Sequence, residues 1–308
     1  MNGPKAPSDQ MNSLERKRQA AAASELGLAL VKNALKNLER WSRVIAPAPP
    51  ASALQPHLPA VAASIATLYV VIASMFFLDT AASDWARHLP QWVRDAFEEI
   101  TNFGLSGWFL FPFGFILLGL AAVLSPILPR LAQSVLMALA ARFGFLFLAI
   151  GVPGLFVTIV KRMIGRARPY VGGHDDPFAY MPFAWRPEYA SMPSGHATTS
   201  VAAAIAIGAI WPRTRWVMWL YALTIMLSRV VVLAHHSSDV IAGALVGATG
   251  AFLVRRWFAA RRLVFCPRDL RAYPGPSLRR IKAAVRDVLT SFRDAGSARG
   301  HGIHDHGK

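Results

Sequence analysis

Three stretches of this chain carry no charged side chain: residues 59–78, 105–129 and 143–160. No other feature limits the fold as strongly. A helix that crosses the hydrocarbon core of a bilayer needs about 20 mostly apolar residues. At that depth no water is available, so the backbone must satisfy its own hydrogen bonds, as a helix does. A soluble helical core has no need of uncharged runs this long. Three further apolar runs, at 197–212, 216–234 and 238–254, are interrupted or bounded by polar residues. The expectation is an all-α chain: a six-helix transmembrane bundle over residues 59–254, with a basic N-terminal tail (1–58) and a basic C-terminal tail (255–308). Only 16% of the 308 residues are charged, against roughly 25% in a typical soluble domain.

The net charge of +16 invites a nucleic-acid reading, but the positions of the cations argue against it. Residues 1–58 hold eight Lys and Arg and residues 255–308 hold thirteen, whereas 79–104 holds only Arg87 and Arg94 against five acids. This is the positive-inside pattern of a membrane protein. Both tails are then expected in the cytoplasm, as an even number of spans requires, and no nucleic-acid partner is expected. No apolar core lies near Met1, so the first span is expected to act as an uncleaved anchor. The lone Cys266 allows no internal disulfide. The basic tails suit a bacterial inner membrane.

Residues 25–45 place Leu28, Val31, Leu35 and Leu38 on one helical face, and residues 278–292 do the same with Leu278, Ile281, Val285, Val288 and Phe292. Basic amphipathic helices of this kind lie on an anionic leaflet or pack on a partner. Residues 46–58 read as a proline-rich linker. His301, His304 and His306 fall in what reads as a disordered terminus. Gly243 and Gly247 make a small-xxx-small face for close helix packing. No internal repeat is visible.

Ionisable groups in such apolar surroundings are costly and point to function. They cluster in three places. The third run ends in KRMIGRARPY, with Lys161, Arg162, Arg166 and Arg168. The fourth opens with SMPSGHA, with Ser194, Gly195 and His196. The segment SRVVVLAHHSSDV, residues 228–240, lies between the fifth and sixth. Counting spans puts all three on the face opposite the tails, where they could meet. Cations on that face run against the positive-inside rule, which suggests that they are kept for an anion. Arginine pairs two phosphate oxygens at once and lysine adds a compact charge. Ser194 adds a hydroxyl, and Gly195 at a helix start exposes backbone N–H groups to an anion. His235 and Asp239 are four apart and would share a helical face, so Asp239 could fix the imidazole tautomer and leave a nucleophilic nitrogen free. His236, rotated about 100° from its neighbour, is the weaker candidate. His196 could act as general acid and then base. No carboxylate cluster points to a metal. His174, Asp175 and Asp176 are adjacent in sequence, and adjacent side chains rarely converge on one ion.

Taken together, Lys161-x6-Arg168-Pro169, Pro193-Ser194-Gly195-His196 and Ser228-Arg229-x5-His235-x3-Asp239 resemble the three-part signature of the type 2 phosphatidic acid phosphatase superfamily. The likeness covers about residues 55–260 and leaves out both tails. It implies a six-helix membrane phosphatase that needs no metal or other cofactor. By the same resemblance His235 is the nucleophile, Asp239 orients it, and His196 protonates the departing alcohol. Lys161, Arg168, Arg229, Ser194 and the Gly195 N–H hold the phosphate oxygens. The soluble vanadium haloperoxidases share this signature, but the membrane spans argue against that branch.

The leading expectation is a hydrolase acting on a phosphorylated membrane lipid at the non-cytoplasmic (periplasmic) face, through a phosphohistidine. Phosphatidic acid, phosphatidylglycerol phosphate, undecaprenyl pyrophosphate and lipid A are the candidate substrates. The aromatic-rich residues 171–192 could admit the lipid or anchor the interface. A lipid phosphotransferase would use the same site. A non-enzymatic binder or transporter would form no phosphohistidine, and transporters usually carry internal repeats. The sequence leaves the oligomeric state open.

Overall fold

The computed structural model describes residues 7–45 and 58–301. Most of the predicted linker, together with His304 and His306, lies outside the described residues. Among the described residues ten α-helices follow one another: α1 (Pro7–Ile45), α2 (Leu58–Phe77), α3 (Asp79–Arg87), α4 (Gln91–Thr101), α5 (Gly107–Val123), α6 (Arg130–Ile164), α7 (Gly195–Ile210), α8 (Arg215–Val231), α9 (Ser237–Ala260) and α10 (Leu278–His301). Among the described residues β-structure is limited to two isolated bridges, so the chain is all-α.

Three stretches among the described residues are long and apolar enough to cross a bilayer: Gln91–Val123, Arg130–Ile164 and Ser237–Ala260. Helices α2 and α3 meet at a 50° bend, and counted together as one broken span they would make a fourth. Helix α7 is apolar but has only 16 residues, about 24 Å at 1.5 Å per residue. Each of the six predicted runs coincides with a helix, yet the surroundings differ from expectation in three ways. Residues 79–104 are largely helical, and α4 runs through a short 3-10 turn into α5. The second run ends as helix at Val123, before the turn at Pro126 and Ile127. The third continues through Arg142, because that guanidinium is buried and donates to the carbonyls of Tyr273 (2.9 Å) and Pro274 (3.1 Å). A charge satisfied in this way does not break a helix.

The chain forms two compact units. The first comprises Met1–Pro47, Ile116–Ala140 and Gly275–Lys308. Within it Asn33 and Asn37 donate to the carbonyls of Ala121, Ala122 and Leu124, at 2.6–2.9 Å, and so satisfy acceptors that the end of α5 leaves free. The apolar face of α1 read from the sequence is the other one: Leu28, Val31, Leu35 and Leu38 stay exposed. Helix α10 packs Ile281, Ala284 and Val288 on Leu128, Ala132 and Val135 of α6 and the turn before it, leaving Leu278, Val285 and Phe292 exposed.

The second unit comprises Ala48–Phe115 and Ala141–Pro274. Its core is built on Phe145, Leu146 and Ile150 of α6, Ala203 and Ala206 of α7, and Phe258 and Phe265. Helix α7 packs most extensively on α9 and α8. The crossing with α9 is very close. A Cβ on Gly243 would fall 2.3 Å from the Ser194 carbonyl oxygen, and one on Gly247 would fall 2.4 Å from that of Thr198. The small-xxx-small face therefore packs as expected. Thr198 Oγ1 lies 2.9 Å from the Gly243 carbonyl across the same crossing, and equally close to the Ser194 carbonyl one turn back in its own helix.

Candidate active site

The site is assembled at the ends of helices. Helix α6 closes with Lys161 in its last turn. Gly165 then turns the chain at φ +65°, and a Cβ there would lie 1.8 Å from the Met181 carbonyl oxygen. Only glycine combines that backbone with that approach. The turned segment pairs with the returning loop: Met181 N donates to Gly165 O (2.7 Å) and Ala167 N to Ala179 O (2.9 Å). Arg168 is fixed through its own N–H, which donates to Glu188 O (2.9 Å).

Ser194 caps α7, and its backbone N–H donates to the carbonyl of Asp239 (3.0 Å), fastening the start of α7 to the start of α9. Gly195 and His196 are the first residues of α7. His196 packs on Gly104, where a Cβ would fall 2.8 Å from its ring. Arg229, in the last turn of α8, donates from Nη1 to Thr101 Oγ1 (2.6 Å), and its carbonyl accepts the N–H of His235 (3.2 Å). His196 stands within electrostatic reach of Arg229, His235, Lys161 and Arg168. The three clusters, far apart in sequence, thus come together.

The guanidiniums have donors to spare. The Nε atoms of Arg168 and Arg229 are buried without a hydrogen-bond partner. Buried polar groups are rarely left unpaired, and an oxyanion would supply the missing acceptors. Burial, opposed by Glu188 and Asp239, holds Arg168 below the usual arginine range. Both arginines line a cleft of 490 Å³, together with Gln91, Arg94, Asp95, Glu98 and Thr101 and the apolar Val232, Leu233 and Ala234. The two histidines are not part of this lining.

The expected direct bond between Asp239 and His235 is not formed. Oδ2 of Asp239 lies 3.8 Å from His235 Nδ1, too long for a hydrogen bond. The i, i+4 argument assumed that both residues were helical, but α9 starts at Ser237 and His235 lies before its cap. Ser191 fills the gap, with Oγ donating to Asp239 Oδ2 (2.5 Å) and lying 3.4 Å from His235 Nδ1. Burial pushes the His235 imidazole down to about 4, in spite of Asp239.

The rest of the Asp239 carboxylate is taken up by a buried network. Arg166 is fully buried. It donates to Asp239 Oδ1 (2.6 Å), Ser238 Oγ (2.6 Å), Asp79 Oδ2 (2.7 Å) and the Pro177 carbonyl (2.9 Å). Asp79 also accepts from the N–H and hydroxyl of Ser238, at 2.8 and 2.6 Å. Burial works against the Arg166 charge, but the two carboxylates raise it above the usual arginine range. His236 caps α9 with its backbone N–H on Asp239 (3.0 Å), and its ring Nε2 lies 3.0 Å from Asp175. Burial opposes its protonation, yet Asp239 and Asp175 lift it above the usual imidazole range. It is a latch between the loop and α9. Among the described residues no group of three His, Cys, Asp or Glu side chains is placed to hold a metal ion.

Sequence reading missed Asp79, Ser191, Thr101 and the pairing role of Arg166. The one hint was an acid, Asp79, standing directly after an uncharged run.

The family model "PAP2 superfamily" matches residues 142–263. A protein of Rhizobium johnstonii named "Lipid A 1-phosphatase" is 35% identical over 201 residues, covering 65% of this chain and 81% of that protein. A protein of the same name from Rhizobium etli is 33% identical, with 65% and 85% covered. A crystal structure of a transmembrane PAP2-type phosphatidylglycerolphosphate phosphatase from Bacillus subtilis superposes with a TM-score of 0.43 at 20% identity, covering 62% of this chain and 93% of that one. A relative at 35% identity, matched over four-fifths of its length, leaves no doubt about descent: the chain belongs to the PAP2 superfamily.

Proposed function

We propose that this membrane phosphatase hydrolyses a phosphomonoester of a phosphorylated lipid of the bacterial envelope, and that the lipid is lipid A, dephosphorylated at its 1-position. The observation that carries this is the pair of buried, unpartnered arginine Nε atoms beside two histidines from separate segments. The names of the two Rhizobium relatives support the choice of lipid.

In the proposed reaction Arg168, Arg229 and Lys161 hold the phosphate oxygens, assisted by Ser194 and the Gly195 N–H. The free ring nitrogen of His235 attacks phosphorus while the bond to the sugar oxygen breaks, and His196 gives that oxygen its proton. Water, deprotonated by His196, then attacks the phosphohistidine. Inorganic phosphate leaves and both imidazoles return to their starting state. Positioned charge does most of the work in phosphoryl transfer, and no step calls for a metal. Asp239 steers His235 through Ser191. Six crossings, cytoplasmic tails and a periplasmic site complete the proposal. It keeps residues 59–254 as the catalytic domain between two basic tails.

The test is phosphate release by the purified protein from lipid A, phosphatidic acid, phosphatidylglycerol phosphate and undecaprenyl pyrophosphate. Lipid A should be turned over fastest and lose one phosphate. Turnover of another lipid at ten times the rate would overturn the choice of substrate. Transfer of the phosphate to an added lipid acceptor in preference to water would make the enzyme a phosphotransferase.

A further inference from the structure

The cleft beside the site has more polar lining than a phosphate needs. Helix α4 contributes Gln91, Arg94, Asp95, Glu98 and Thr101 to it. Three of these are held in one hydrogen-bonded row: Gln91 Nε2 donates to Asp95 Oδ1, and Arg94 Nη2 donates to Gln91 Oε1, both at 2.7 Å. Glu98 lies one turn further on and is within electrostatic reach of Arg229. Arg229 is only 7% exposed, and its Nε, at the same cleft, lacks an acceptor.

Two carboxylates close to a phosphate site are unfavourable for the anion alone, since like charges repel. They make sense if the group attached to the phosphate brings its own donors. Carboxylates accept hydrogen bonds from hydroxyls, and Arg94 adds a donor for a ring or hydroxyl oxygen. We infer that the α4 row is the headgroup subsite of this enzyme and takes an uncharged, sugar-like group with hydroxyl or amide N–H donors, whose phosphate sits on Arg168 and Arg229. The inference rests on the phosphatase reading above and adds the element that selects the substrate. Phosphatidic acid offers no hydroxyl there. A pyrophosphate would bring a second anion towards Asp95 and Glu98. A site built to bind substrate hydroxyls discriminates strongly against analogues that lack them.

The experiment uses the full chain in detergent micelles, with lipid A, phosphatidic acid and undecaprenyl pyrophosphate as probes, for the wild type, Glu98→Ala and Asp95→Ala. Both side chains are exposed on a helix, so the variants should fold; a thermal melt checks this. The kcat/KM ratio of lipid A to phosphatidic acid should fall by about ten- to a hundredfold, the size expected for lost bonds to a charged acceptor. The ratio of pyrophosphate to phosphatidic acid should rise, because a repulsion is removed. Ratios within threefold of the wild type, or parallel losses on all three lipids, would overturn the subsite and leave Glu98 as a counter-ion of Arg229. A wild type inactive on all three lipids would overturn the phosphatase reading, and the subsite with it.

Discussion

Replacing Arg166 by Met should be among the most damaging single changes in this chain, and adding Asp79→Asn should partly repair it. Arg166 is fully buried, as are the two carboxylates it joins, Asp79 and Asp239. Met preserves much of the bulk but strands two buried anions. Breaking a buried ion pair from one side costs about 3–5 kcal/mol. Here one cation serves two acids, and bonds to Ser238 and the Pro177 carbonyl go as well, so the upper end applies, about 5 kcal/mol. Asp79→Asn alone keeps the Arg166–Asp239 pair and an acceptor for Ser238, and should cost about 1–3 kcal/mol. In the double variant one of the two stranded charges is gone, so it should be more stable than Arg166→Met by about 1–2 kcal/mol, within the range of coupling between contacting residues. The assay is thermal unfolding in mild detergent followed by tryptophan fluorescence. At roughly 2–4 °C per kcal/mol for chains of this size class, Arg166→Met should lower Tm by about 10 °C or more, and the double variant should recover a few degrees. A double variant no more stable than Arg166→Met would refute the shared-cation reasoning. So would an Arg166→Met protein that melts within about 2 °C of the wild type.

Further outcomes follow from the same geometry. His235→Ala should abolish phosphate release at near-normal stability, and the phosphoenzyme trapped by rapid acid-free quenching should disappear with it. His236→Ala should keep a measurable rate but lower Tm, because it removes the ring contact with Asp175; a dead but stable His236→Ala protein would reassign the nucleophile. Burial holds His235 near 4: the ring is neutral and nucleophilic above that pH and gains its proton as pH falls through it. Phosphoenzyme formation should therefore persist at pH 5 and fail towards pH 4, whereas loss centred near pH 6.5 would contradict the burial effect. Ser191→Ala should lower kcat with little change in KM, since its hydroxyl lies between Asp239 and His235 and meets no substrate; a pure KM effect would remove it from the positioning role.

The membrane character of the chain and the meeting of its three polar clusters could be read from the letters, because uncharged runs and fixed spacings are local properties. Other features were hidden for physical reasons. Arg142 looked like the edge of a span, yet its charge is absorbed by carbonyls about 130 residues away, a partner that no local rule supplies. Asp79 counted only as one acid of an outer segment. Its value comes from a contact 87 positions along the chain, with Arg166. The His235–Asp239 pairing was argued from helical periodicity; the two groups stand 3.8 Å apart without a direct hydrogen bond, because the helix begins two residues too late. The apolar faces of α1 and α10 were visible as stripes, but which side packs was decided by asparagines meeting free carbonyls in one case and by small side chains in the other.

Gly243 and Gly247 bring two main chains into touch. Helices in such contact can neither slide nor part without tearing the Thr198–Gly243 bond and the Ser194–Asp239 backbone bond that stitch them. In the proposed mechanism the proton donor, His196, rides on one of these rods and Asp239, the carboxylate that steers the attacking ring, rides on the other, so the pair would act as a single jaw with a fixed bite. Any opening that lets a bulky lipid in and lets its trimmed remainder out would then fall to the elements facing that jaw.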